Sequence, residues 1–76
     1  MNLTAAEQVK GFNKLSEAHK QIFKDFLKNW YGRWDHPENH QPLRVGFKRD
    51  KSAGAYLRVD MSDGDWYHVK SAITFF

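Results

Sequence analysis

The greatest density of groups able to bind or react lies in residues 29–40 of this 76-residue chain, "NWYGRWDHPENH". His36 and His40 stand four apart, with Asp35 and Glu38 beside and between them, so nitrogen and oxygen donors for one divalent cation are at hand. On a helix that spacing aims two imidazoles to one side, as in the H-E-x-x-H pattern that holds zinc. Pro37, however, biases His36 toward extended backbone and breaks any helix through the pair. Structural zinc takes four protein ligands, and with no cysteine in the chain all four must be His or carboxylate. His19 and His68 would have to converge from distant positions. The reading is therefore no metal site and no cofactor.

Catalytic constellations are no better supported. There is no cysteine nucleophile, and Ser16, Ser52, Ser62 and Ser71 fall at an expected cap, two turns and a strand. None of them stands in a G-x-S-x-G elbow. The stretches "DKSAG" and "SDGD" contain glycine but not the G-x-x-x-x-G-K-[ST] pattern that cradles phosphate. Asp60, Asp63 and Asp65 cluster around a turn without the twelve-residue ligand set of a calcium loop. So small a chain also leaves little room for a pocket that excludes water. Binding, not catalysis, is the expectation.

Two groups of residues have the chemistry for binding. Tyr31, Arg33 and Trp34 surround Gly32, and Phe75 and Phe76 end the chain. Tyr, Trp and Arg dominate interface hot spots, although the same rings can close the open end of a small core. The second group belongs to the carboxyl-terminal half and emerges only once its strands are assigned.

The amino-terminal half carries the three- and four-residue spacing of helices. Thr4 and Glu7 have the spacing of a capping box, and Val9, Phe12 and Leu15 follow on one side, with Gly11 weakening the stretch. Ser16 and Glu17 read as a second helix start. Beyond them Ile22, Phe23, Phe26, Leu27 and Trp30 make an apolar stripe opposite Lys20, Lys24, Asp25 and Lys28. Gly32 is expected to close this helix in the left-handed conformation. Pro37 and Pro42 then bracket a polar connection.

From residue 43 the period changes to two. Leu43, Val45 and Phe47 alternate with Arg44, Gly46 and Lys48; Ala55, Leu57, Val59 and Met61 alternate with Tyr56, Arg58 and Asp60. "WYHVKSAITFF" reads as a third strand with Tyr67, Val69, Ser71, Ile73 and Phe75 on the inner side. "DKSAG" and "SDGD" supply hairpin turns. Packing an apolar helical stripe on an apolar sheet face gives a two-layer α+β fold of order ααβββ. It is read as a single domain, with a helical half of about 4–32, a connection of about 33–42 and a sheet of about 43–76.

The other face of that sheet is then expected to carry Arg44, Lys48, Tyr56, Arg58, Trp66, His68 and Lys70, with Asp60 as its one acid inside a strand. Cations meet phosphates and rings stack on bases, which is how single-stranded nucleic acids are held. Lys, Arg and Tyr also populate ordinary wet sheet faces, where Lys discourages edge-to-edge pairing.

Composition is compatible with that face. The formal charge is +3 and the isoelectric point near 9.3, which permits an acidic partner. Aromatics at 16% give a small core extra area to bury. The absence of cysteine suits a reducing cytoplasm, and "MNLTAAEQVK" lacks the features of a signal peptide. No apolar run approaches the roughly 20 residues of a membrane span. The expectation is a small cytoplasmic binding module, monomeric or weakly dimeric, that engages nucleic acid through the sheet face. The alternative is a protein-binding adaptor or inhibitor, such as an accessory protein of a phage or mobile element, acting through Tyr31, Arg33, Trp34, Phe75 and Phe76.

Overall fold

The computed structural model describes residues 3–52, 54–71 and 74–75. A helix, α1 (Glu17–Gly32), precedes a three-stranded antiparallel sheet of β1 (Pro42–Asp50), β2 (Gly54–Met61) and β3 (Trp66–Val69), in the order β1-β2-β3. The chain is thus α+β, with its helical part before its strands.

Helix α1 begins where the cap chemistry places it. The Ser16 hydroxyl accepts the His19 amide at 3.2 Å, satisfying one of the helix's unpaired donors, and Glu17 adds negative charge at the positive end of the dipole. Phe23, Phe26, Leu27 and Trp30 are buried along one stripe. Burial of each such side chain contributes roughly 2 kcal/mol. The stripe covers the inner face of the sheet, joining Val45, Leu57, Val59, Met61 and Val69 in one apolar cluster. The Trp30 indole nitrogen donates to the His40 carbonyl at 2.7 Å, so its one polar group is satisfied. Gly32 does not leave the helix by a left-handed turn. It remains helical, and Arg33 ends α1 in right-handed conformation with its amide bonded to the Trp30 carbonyl.

The expected first α-helix is instead two single 3₁₀ turns, Ala6–Gln8 and Phe12–Lys14. Gly11 divides them with a φ of 94°, which ends any regular helix there. The capping interaction also moves by one residue. The Gln8 side chain reaches back to the Ala5 amide, while the Thr4 hydroxyl is used elsewhere. Val9, Phe12 and Leu15 nevertheless all enter the core. They can do so because this segment is pinned to the edge of β1, where the Val45 amide donates to the Lys10 carbonyl at 2.9 Å. Gly11 lies so close to that strand that a Cβ would collide with the Val45 carbonyl oxygen.

Gln41 ties three segments together. Its Oε1 accepts from the amide and hydroxyl of Thr4 at 2.8 and 2.7 Å, and its Nε2 donates to the Glu38 carbonyl. Its backbone exchanges hydrogen bonds with Ser62 in the β2–β3 turn.

Three strand details differ from strict alternation. A register irregularity between Pro42 and Arg44 leaves Leu43 unpaired, so Pro42 is buried and Leu43 turns outward, 59% exposed. This is the expected effect of a bulge, which shifts the inside–outside pattern by one residue. Toward the β1–β2 turn, Ala55 is exposed and Phe47 only partly covered, its ring stacked on His19 at 4.6 Å. Finally, β3 stops at Val69 instead of running to the end of the chain. The amides of Lys70 and Ser71 both bond to the Thr74 carbonyl, and the Ser71 hydroxyl accepts the Thr74 amide. Phe75 stands opposite Val69 in an isolated antiparallel bridge. Ile73, expected on the inner side of the strand, and Phe76 lie outside the described residues.

Candidate nucleic-acid interface

The register of the sheet arranges its outer face as a grid. Arg44, Asp60 and Trp66 form one row across β1, β2 and β3; Gly46, Arg58 and His68 form the next. Lys48 and Tyr56 pair in a third. The long cations Arg44 and Lys48 come from β1, and the rings of His68 and Trp66 come from β3. Adjacent strands lie about 4.8 Å apart, so the cationic edge and the aromatic edge are separated by about 10 Å.

On the aromatic side the rings touch one another. His68 lies 4.2 Å from Tyr56 and 4.8 Å from Trp66 between centroids. Trp66 is 44% exposed. Arg58 bridges the two halves of the face. Its guanidinium lies 4.3 Å over the Trp66 ring, within range for a cation–π contact. Its Nε and Nη2 donate to Asp60 Oδ1 at 3.4 and 3.3 Å, an ion pair in which both side chains keep solvent contact.

On the cationic side, Gly46 carries no side chain beside Arg44 and Lys48, and even an added Cβ would meet nothing within 4 Å. The result is an open depression of about 400 Å³ lined by Arg44, Gly46, Lys48, Arg58 and Asp60. That volume is within the range of ligand sites. Three cations and one acid line it.

Of the expected face residues, Arg44, Lys48, Tyr56, Arg58, Trp66 and His68 are brought together. Lys70 lies one residue beyond β3 and points toward the start of β2, its Nζ 3.9 Å from where a Gly54 Cβ would stand. Gly46 and Asp60 are the site residues that sequence reading did not select. A glycine inside an alternating strand pattern is the available signal for Gly46, since it marks close approach of a ligand or backbone. For Asp60 strand parity gave the face, and its negative charge told against a phosphate-binding role.

The other aromatic group is arranged differently. The Tyr31 hydroxyl donates to the Thr4 carbonyl at 2.7 Å, and burial pushes its pKa up to about 12. Trp34 packs edge-on against Trp30 and stacks on His40 at 3.8 Å. Phe75 meets Phe26, Trp30 and Tyr67 edge-on. Arg33, exposed, lays its guanidinium over Trp34 and Phe75 at 5.5 and 5.2 Å. These rings close one end of the core, and Phe76 is outside the described residues. Burial also raises the Tyr67 pKa, reinforced by the nearby carboxylates of Asp65 and Asp63.

The two histidines of the connection are directed to different carboxylates. His36 faces Glu38 at 3.4 Å and His40 faces Asp63 at 3.0 Å. Asp63 has a lowered pKa, chiefly because it accepts the Asp65 amide, with His40 adding to the effect and partial burial opposing it. Among the described residues no three His, Asp or Glu side chains are grouped to hold a metal ion, and no helix is long and apolar enough to cross a membrane.

No known protein family, no curated protein sequence and no solved structure matches this chain.

Proposed function

We propose that this protein binds single-stranded nucleic acid across the outer face of its sheet, the sugar–phosphate backbone following β1 and the bases reaching toward β3. The observation that carries the proposal is the separation of charge from rings across the grid: Arg44 and Lys48 at one edge, Tyr56, His68 and Trp66 toward the other. A backbone of phosphates with bases on one side has the complementary polarity. An ordinary solvated face has no reason to place cations alone on one edge strand and rings alone on the other, with Arg58 and Tyr56 sharing the strand between them. The alternative surface of Tyr31, Trp34 and Phe75 has less to offer a protein partner, because Trp34 and Phe75 pack on Trp30 and the Tyr31 hydroxyl is bonded to the Thr4 carbonyl.

The test is titration of labelled single- and double-stranded oligonucleotides at two salt concentrations. Single strands should bind more tightly, and affinity should fall as salt rises because bound counterions are released. The double variant Arg44→Ala, Lys48→Ala should reduce the salt dependence by about two phosphate contacts. Trp66→Ala should lower affinity about 5- to 100-fold at unchanged salt slope, as loss of one stacking platform does. Absence of binding at low salt, or binding indifferent to both changes, rejects the proposal.

A further inference from the structure

Asp60 is anomalous on a face built for a polyanion. It stands directly across from Arg44 and lines the depression that three cations otherwise define, where its charge repels phosphate. One of its oxygens, Oδ1, takes both hydrogen bonds from Arg58; Oδ2 accepts none among the described residues, and the side chain is 31% exposed. An available carboxylate oxygen beside an open floor at Gly46 calls for a donor from the ligand.

Arg44 and Lys48 are four strand residues apart, about 13 Å along β1. That distance exceeds the reach of one extended nucleotide, so two phosphates held at those positions are two steps apart along the strand, and one of the two intervening bases can lie over Gly46. There the missing side chain lets a flat base lie close to the backbone, with its edge toward Asp60 and Arg58. Carboxylates accept from the exocyclic amino group of cytosine and cannot do so from uracil or thymine, whose equivalent position is a carbonyl oxygen.

Resting on the single-strand reading above, we infer that the depression over Gly46 is a base-selective subsite. Asp60 there accepts from the amino group of a cytosine or another amino-bearing base and disfavours uracil and thymine. Arg58 is the partner that orients the carboxylate. The sequence preference of the protein thus arises at the one acid of an otherwise basic surface.

The experiment compares oligodeoxycytidine with oligodeoxyuridine of equal length, two polymers that differ only at the base edge. The wild-type protein should favour the cytidine polymer about tenfold. In Asp60→Ala that ratio should fall to about one while affinity for the uridine polymer stays equal or rises, since a repulsive charge has gone. Asp60→Asn, which retains the shape, serves as the second variant, and circular dichroism confirms that both fold. If Asp60 does no more than hold Arg58 in place, Asp60→Ala weakens both polymers equally, and that outcome overturns the inference. Equal wild-type affinity for the two polymers overturns it as well, while leaving the single-strand reading intact. Failure to bind either polymer removes both.

Discussion

The Arg58 guanidinium lies 4.3 Å over the Trp66 ring on the neighbouring strand while its nitrogens hold one oxygen of Asp60. The side chain is thereby fixed as a plane, not merely placed as a charge. Lysine at this position would supply the charge without the plane. Arg58→Lys should lose affinity several-fold and Arg58→Ala at least as much, while the salt slope, set by the phosphate contacts of Arg44 and Lys48, should change little in either variant. Fluorescence titration across a salt series reads both quantities. Equal affinity for Arg58→Lys and wild type would show that the flat guanidinium has no part in recognition.

Gly11 packs directly against the backbone of Val45. Alanine at 11 must adopt a φ near 94° and push its Cβ into the Val45 carbonyl, which belongs to the sheet and cannot swing aside. Strain of this kind costs about 1–3 kcal/mol before the collision is counted, a large share of the 5–15 kcal/mol typical of a folded domain. Gly11→Ala should lower the urea midpoint sharply. Gly32→Ala, within α1 and with no atom within 4 Å of the added methyl, should leave the midpoint unchanged or raise it, the gain in stability reaching about 1 kcal/mol at most. Similar midpoints for the two variants would remove the special role of position 11.

The contrast between these glycines shows what could be read from the chain and what could not. Helix α1 was legible because cap, dipole charge and apolar stripe all agree between Ser16 and Trp30. The alternation of β1 and β2 placed Val45, Leu57, Val59 and Met61 inside and Arg44, Lys48, Tyr56 and Arg58 outside. Gly11 was legible only as a weak helix former, since its true constraint is contact with a strand more than thirty residues away. The bulge at Leu43 escaped because nothing in "QPLRV" distinguishes a shifted register from a regular one. The end of β3 was hidden by continued alternation through Phe75, which the bonds of Lys70 and Ser71 to Thr74 override. At the candidate site, the cations and rings followed from parity. The depression did not, because it depends on the register that sets Gly46 beside Arg58.

Tyr31 bridges α1 to the amino-terminal segment, and its pKa of about 12 lies above its ordinary value of 10.0 because the neutral phenol is partly buried. The folded chain therefore holds this proton over a range in which the unfolded chain has released it. The associated stability is complete below pH 10 and declines as pH rises toward about 12. Tyr31→Phe should be less stable at neutral pH by about 1 kcal/mol, the usual worth of a lost hydrogen bond, and should lose stability less steeply through the alkaline range. Urea unfolding at successive pH values, with phenolate absorbance followed in parallel, measures both. An unchanged alkaline slope in the variant would place the titration elsewhere, Tyr67 being the other raised phenol.

Asp63 sets the opposite limb of the pH profile. Its folded pKa is below the ordinary 3.8, first because the Asp65 amide donates to it and then because His40 stands 3.0 Å away. A depressed carboxylate contributes stability that is fully present above the unfolded value and is lost as pH falls through the folded one. Asn at 63 can still accept the Asp65 amide but carries no charge to titrate. The stability difference between wild type and Asp63→Asn should therefore shrink as pH falls below 3.8. His40→Ala separates the two causes. It removes the lesser partner and the stack on Trp34, so it should lower stability at every pH. It should leave most of the acid dependence in place, because the Asp65 amide remains. If His40→Ala instead abolishes that dependence, the imidazole and not the backbone amide is what holds the Asp63 proton off.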